Sequence, residues 1–178
     1  MKILAFAASN SRQSINRTLA AYVAGLIEGA QVEVLDIADY EMPIFSIDRE
    51  QALGHPALAR EFLAKIGEAD ALVISYAEHN GSYTAAYKNL FDWMSRITRE
   101  VFQNRPTLLL ATSPGPGGAA NVLAAAKSSA PHFAADVRAA VSVPSFHDNF
   151  DIASNLVSDT KLRQALQEGV RLLLGTAG

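Results

Sequence analysis

Five short apolar runs punctuate the chain: Ile3–Ala7, Val32–Leu35, Ala69–Tyr76, Thr107–Ala111 and Val137–Val143. Between them, apolar residues return every three or four positions. A strand with no polar alternation needs cover on both faces, and parallel sheets provide it. Parallel neighbours can be joined only by a crossover of roughly a dozen residues or more, which a helix supplies. Strand–helix alternation with right-handed crossovers therefore predicts an α/β protein built on one doubly wound parallel sheet.

The intervening segments fit that scheme. Ile15, Leu19, Tyr22, Val23, Leu26 and Ile27 fall on one helical face, with Ser14 placed to cap it. Residues 56–67 present Leu58, Phe62, Leu63 and Ile66, and Tyr83, Tyr87, Leu90, Met94 and Ile97 mark a third helix. Ala86 and Trp93 widen the apolar surface of that third helix. Such a broad surface predicts packing on the sheet and on a second subunit. Residues 119–133 form an alanine-rich helix, and Leu162, Leu166, Val170 and Leu173 a closing one. The segment 36–56, DIADYEMPIFSIDREQALGHP, is too long and too rich in Pro, Gly and acids for a tight connection, and reads as a functional loop.

A length of 178 residues predicts one domain spanning 1–178. Disorder is expected only in the last few residues. A net charge of −3 without any Lys/Arg block leaves no basic stripe for a phosphate backbone, so nucleic acid is not an expected partner. No apolar run reaches the ~18 residues of a membrane span, and the N-terminal run is shorter than a signal-peptide core. A cytoplasmic protein is the expectation. The chain has no cysteine, which removes disulfides, thiolate nucleophiles and cysteine metal sites, so redox chemistry would have to come from a bound cofactor. The four histidines show no i, i+4 pairing, and HDNFD at 147–151 lacks the further acids of a calcium loop, so no metal site is expected.

In open α/β sheets the ligand lies beyond the carboxyl ends of the strands. The loops to inspect are AASNSRQSIN, YAEHNGSY and TSPGPGG. The first has neither GxGxxG nor a P-loop. Ser9, Asn10, Ser11, Ser14, Ile15 and Asn16 instead surround Arg12 at a helix start, where unpaired N–H groups favour an anion. That pattern suits a phosphate monoester held without metal, or equally a simple helix cap. In the second loop Glu78, His79 and Asn80 could be an acid/base cluster or the rim of a cofactor pocket. In the third, Ser113, Pro114, Gly115 and Gly118 shape a tight turn that offers backbone N–H groups.

Together these stretches resemble the NADPH-dependent FMN reductase family, which includes quinone, azo-dye and chromate reductases. The family's G-S-x-R-x-x-S-x-N is similar to Ala8, Ser9, Ser14 and Asn16 here, and its P-E-Y-N-G-S running into K-N-x-x-D-W to Glu78, Asn80, Gly81, Ser82, Lys88, Asn89, Asp92 and Trp93. Residues 113–118 resemble its S-x-G-x-x-G-G, and DYEMPIFSID at 39–48 its M-P-x-x-S-x-D stretch. Ala8 stands for the usual glycine, Arg12 falls one position late, Ala77 replaces proline and His79 replaces an aromatic tyrosine.

The resemblance implies a flavodoxin-like three-layer sandwich with strand order 2-1-3-4-5. It implies FMN on the three loops, with Ala77, Glu78, His79, Asn80 and Gly81 at the ring, and NADPH or NADH as co-substrate. Hydride would pass to flavin N5 and electrons on to a small acceptor in a ping-pong cycle, with no side-chain acid required. Glu78 is expected to brace the loop, and His79 to shield the ring face. A homodimer or homotetramer is implied, with residues 40–55 reaching a neighbouring flavin. The alternative is an FMN electron carrier without its own NAD(P)H oxidation, against which weak overall acidity counts.

Overall fold

The computed structural model describes residues 1–175. The expectation of disorder at the extreme C-terminus falls on residues outside that span. Strands β1 (Lys2–Ala8), β2 (Gln31–Leu35), β3 (Ala71–Tyr76), β4 (Pro106–Thr112) and β5 (Asp136–Val143) form one parallel sheet in the order β2-β1-β3-β4-β5. Winding reverses between β1 and β3, because the chain returns from the edge strand β2 to β3 on the far side of β1. The three central strands are almost wholly buried, as their unbroken apolar runs require.

Alternation along those strands divides the core in two. Leu4, Phe6, Leu72, Ile74 and Leu109 face helices α3 (Ala57–Glu68), α4 (Ala85–Ile97) and α5 (Ala120–Ser129). Ile3, Ala5, Val73, Leu108 and Leu110 face α1 (Ile15–Gly25) and α7 (Thr160–Leu173). Phe62 joins Phe6 and Tyr40 edge-on, with centroids 5.1 and 4.8 Å apart. This is the three-layer arrangement that the apolar runs and the resemblance predict.

Three features differ from expectation. Residues 36–56 are not a structureless loop: a 3-10 turn, Ile37–Tyr40, and a helix, α2 (Ile47–Leu53), organise them. Asp36 and Ser46 cap these two pieces, which is why so polar a stretch still orders its backbone. The segment is also pinned from α4. Asn89 accepts from Phe45 N at 2.8 Å and donates to Met42 O at 3.0 Å, and the Trp93 indole N–H donates to Pro43 O at 2.7 Å. Trp93 is fully buried in its own chain, with Tyr87 and Met94 beside it, so its apolar face belongs to the core.

The second difference is that the alanine-rich helix ends at Ser129 and passes into a 3-10 turn, Ala130–Phe133. The third is the segment after β5, where a short helix α6 (Phe146–Asn149) leads into a two-stranded hairpin of β6 (Phe150–Asp151) and β7 (Leu156–Val157). Phe146 and Phe150 stack 4.8 Å apart, and Phe150 meets Tyr22 of α1 edge-on, fastening the hairpin to that helix. Two-residue strands leave no periodicity for sequence reading to detect. No helix among the described residues is long and apolar enough to cross a membrane.

Candidate functional site

The carboxyl ends of β1, β3 and β4 open into a cavity of about 280 Å³. The first loop contributes Ser9, Ser11, Gln13, Ser14, Ile15 and Asn16, the second Ala77, Glu78 and His79, and the third Thr112, Ser113 and Pro114. Ten of the sixteen residues singled out from sequence therefore line one space. Gln13 and Thr112 line it as well and were missed, Gln13 because an exposed loop glutamine carries no distinctive signal.

Ser14 caps α1, its Oγ accepting from Arg17 N at 3.3 Å. Ser9 Oγ accepts from Ser11 N at 3.2 Å. Each hydroxyl oxygen is thus fixed by a backbone donor, which leaves its hydrogen to be given away. Both serines are nearly buried beside the positive end of α1. Such a donor set fits an anion and offers nothing to a hard cation. Arg12, exposed, lines a neighbouring groove rather than this cavity. Asn10 lines another, beside Tyr40, Met42 and Ala86.

Asn16 is the bolt of the site. Its Oδ1 accepts from Ser75 Oγ at 2.7 Å and from Thr112 N at 3.1 Å, and its Nδ2 donates to Thr112 O at 3.0 Å. One side chain, 2% exposed, thereby locks α1 to β3 and β4. Thr84, also missed from sequence, does the same for the second loop. Its Oγ1 donates to Ala8 O at 3.0 Å while accepting from Tyr87 N at 3.2 Å, joining the end of β1 to the start of α4. A threonine directly before a helical stretch is the signal that could have found it.

The segment Ala77–Ser82 is a miniature hairpin. His79 and Ser82 exchange both backbone hydrogen bonds, at 3.0 and 3.1 Å, around Asn80 and Gly81 with φ of 52° and 76°. Two successive left-handed residues define the primed turn that Asn-Gly favours. The turn alone is therefore a sufficient reason for Asn80 and Gly81. It also holds the exposed His79 ring at the cavity rim. Below, Tyr76 and Tyr87 meet edge-on at 5.4 Å, and Tyr83 reaches Ser129 Oγ at 3.0 Å, so both ends of the hairpin rest on packed aromatics. Burial pushes the Tyr76 and Tyr87 hydroxyls above the ordinary phenol range, so both stay neutral and serve as packing.

Glu78 turns away from the cavity centre. Its carboxylate accepts from Val122 N at 2.9 Å and Asn121 Nδ2 at 3.2 Å. Helix α5 starts from Ala119, a left-handed residue with no side-chain cap of its own, and Glu78 supplies that cap from another loop. The expected bracing role has this concrete form. Glu78→Ala should cost about 1–2 kcal/mol, as loss of an N-cap does, and raise hydrogen exchange at the first turn of α5. Unchanged exchange there would refute the capping role.

In the third loop Ser113 Oγ donates to Gly115 O at 3.1 Å, and Ser145 N and Phe146 N donate to Gly115 O and Ser113 O at 2.9 and 3.0 Å. Gly118 is required sterically: φ is 58°, and an added Cβ would lie 2.3 Å from Ser142 Oγ. Gly115 and Gly118 thus shape the loop from behind its cavity face.

A parallel 2-1-3-4-5 sheet with a hydroxyl-lined cavity at its switch point defines a flavodoxin-like fold. The sequence pattern of the NADPH-dependent FMN reductases matches residues 1–148, and the chain belongs to that family. An NAD(P)H-dependent FMN reductase of Pseudomonas aeruginosa is 29% identical over 178 residues, covering 97% of this chain and 93% of the relative. A 2-hydroxy-1,4-benzoquinone reductase of a Burkholderia species is 33% identical over 122 residues, covering 67% and 64%. Among solved structures, the flavoenzyme NAD(P)H:(acceptor) oxidoreductase of Paracoccus denitrificans superposes with a TM-score of 0.76 at 25% identity, covering 98% of this chain and 95% of the other. The chain is accordingly an oxidoreductase of the FMN- and NAD(P)H-dependent kind, and the electron-carrier alternative falls away.

Proposed function

We propose that this cavity seats FMN, with the phosphate among Ser9, Ser11 and Ser14 at the start of α1 and the ring between residues 77–81 and 113–118. The observation that carries the reading is the donor set: two buried hydroxyls with hydrogens to spare at a helix N-terminus, while Glu78, the one acid among the described residues that line the cavity, is turned to α5. Bound there, FMN supplies hydride acceptance at N5 from NADPH or NADH and onward electron transfer.

The protein's part is placement. Asn16 and Thr84 set the spacing of the three loops, and backbone N–H groups of the third loop would hold the ring and favour negative charge on it. Ala77, where relatives carry proline, and His79, where they carry an aromatic residue, set how the exposed face is shielded. No side chain need donate a proton. An open rim supports a ping-pong cycle in which nicotinamide leaves before a small acceptor enters. The benzoquinone reductase relative supports quinones as the first acceptors to test, ahead of free flavins, azo compounds and metal oxyanions.

Ile44, Ile47 and Leu53 are 73, 63 and 62% exposed along the segment that α4 pins, and α2 buries none of its residues. That apolar display supports a homodimer or homotetramer in which a second copy covers the segment beside the flavin. The absence of cysteine is compatible with the cytoplasm as its location.

Purified protein loaded with FMN should bleach on anaerobic mixing with NADPH or NADH and recover its colour when a benzoquinone is added. Retention of FMN without bleaching by either nucleotide would overturn the reductase reading, and failure to retain FMN would overturn the site itself.

A further inference from the structure

A second cavity, of about 220 Å³, lies between α4 and the junction of α5 with the 3-10 turn that follows it. It shares no lining residue with the cavity proposed for the flavin. Six aromatic side chains line it: Tyr76, Tyr83, Tyr87, Phe91, Phe102 and Phe133. Tyr87 stands at 88° to Tyr76 and Phe91 at 89° to Phe133, so the walls present both ring faces and ring edges. Such walls suit one more aromatic ring. Size narrows the class further. Drug-sized ligands need roughly 300–1,000 Å³, whereas a dry apolar cavity of about 150 Å³ holds benzene. A single ring with a small substituent fits between these limits.

The hydroxyls specify the substituent. Those of Tyr83 and Ser129 lie 3.0 Å apart, and those of Tyr76 and Tyr87 3.4 Å apart. Each pair has two hydrogens and uses one between its members, and the four oxygens have no further partner among the described residues. One hydrogen per pair is therefore left to give. In apolar surroundings a donor without an acceptor is costly. Tyr76 and Tyr87 are nearly fully buried, whereas Tyr83 and Ser129 are half-buried and open to an entering molecule. At the exposed edge the Lys88 ammonium is held by both carboxylate oxygens of Asp92, at 2.7 and 2.9 Å. With that charge already compensated, an ionised ligand would lose its water without gaining a counter-ion.

We infer that this cavity is a second ligand site, which takes a neutral single-ring phenol with its ring among the aromatic walls and its oxygen accepting from the Tyr83 and Ser129 pair. The site also touches the hairpin of the first cavity from behind. Tyr76 runs directly into Ala77 and Tyr83 follows Ser82, so residues at both ends of that hairpin are walls of the second cavity. An occupant that orders those rings makes the hairpin open less often. The binding site itself does not depend on the flavin reading.

Phenol, benzene and benzoate are titrated calorimetrically into the wild type, the double variant Tyr83→Phe/Ser129→Ala, and Ala130→Leu, which adds bulk at the cavity wall. The wild type should bind phenol with a dissociation constant of about 1 mM or tighter. Benzoate should bind at least about tenfold more weakly. The double variant should lose about tenfold for phenol, the worth of one hydrogen bond, and hold benzene within about threefold. Ala130→Leu should bind neither; if it does not fold, the double variant decides. Absence of phenol binding to the wild type would mean that the cavity holds water alone and would overturn the proposal. So would a phenol affinity untouched by the double variant, an equal loss for phenol and benzene, or displacement of phenol by FMN, which would put the phenol in the first cavity. Protein that retains no FMN sinks the flavin reading, while these titrations still decide this one. Exchange of the His79 and Ser82 amide hydrogens, which close the hairpin, should slow about threefold or more in saturating phenol. An unchanged rate would sever the link to the hairpin.

Discussion

Ser14→Asp should cost the protein its FMN and leave its fold intact. Aspartate caps a helix about as well as serine, and a carboxylate at the positive end of α1 is favourable, so stability should move by no more than about 0.5 kcal/mol. The same carboxylate would sit where the phosphate is proposed to lie. Like charges a few ångströms apart repel by about 4 kcal/mol at the intermediate dielectric of a protein surface. Screening reduces that, and a loss of affinity of about a hundredfold is expected. Riboflavin, which has no phosphate, should bind the variant as it binds the wild type. Paired titrations with FMN and riboflavin, beside a urea unfolding curve, read out all three quantities. An FMN affinity within threefold of wild type would remove the phosphate from the start of α1.

Asn16→Leu should produce the largest loss of stability of any single substitution around the site. It leaves Thr112 N–H, Thr112 C=O and Ser75 O–H without their partner at the buried floor of the cavity, and each such group costs about 1–3 kcal/mol. A total of about 3–9 kcal/mol is comparable with the whole stability of a small domain. The urea midpoint reports it directly. If the variant does not fold, Ser75→Ala, which removes one hydrogen bond and strands nothing on Asn16 but half of one acceptor, should cost about 1 kcal/mol. A combined loss below 1 kcal/mol for both variants would show that Asn16 does not lock the loops.

The role of Asn16 also marks where sequence reading and structure part. As one polar residue among several after β1, it reads as a ligand contact. In the fold, three of its hydrogen-bonding positions are already engaged by the sheet. Asn80-Gly81 shows a different gap: the dipeptide is a turn signature legible without any fold, yet within a motif that resembles a cofactor loop it reads as a binding element. Glu78 lies between these cases. Its bracing role follows from a flavin needing no acid, but nothing near it in sequence points to Val122, 44 positions away.

By itself the sequence determined the sheet and its layers. Buried parallel strands must be apolar throughout and their crossover helices must be amphipathic, so both leave periodic traces within a few residues of each other. It also determined which three loops share an end of the sheet, because every strand points the same way. The tertiary structure alone decided what each loop residue does. It turned Glu78 to a helix end, closed Asn16 onto two strands, ordered residues 36–56 through Asn89 and Trp93, and set Arg12 in a groove walled by a hairpin more than 130 residues away. Hydrogen bonds and cavities depend on groups brought together from distant points in the chain, and residue spacing records only what is near.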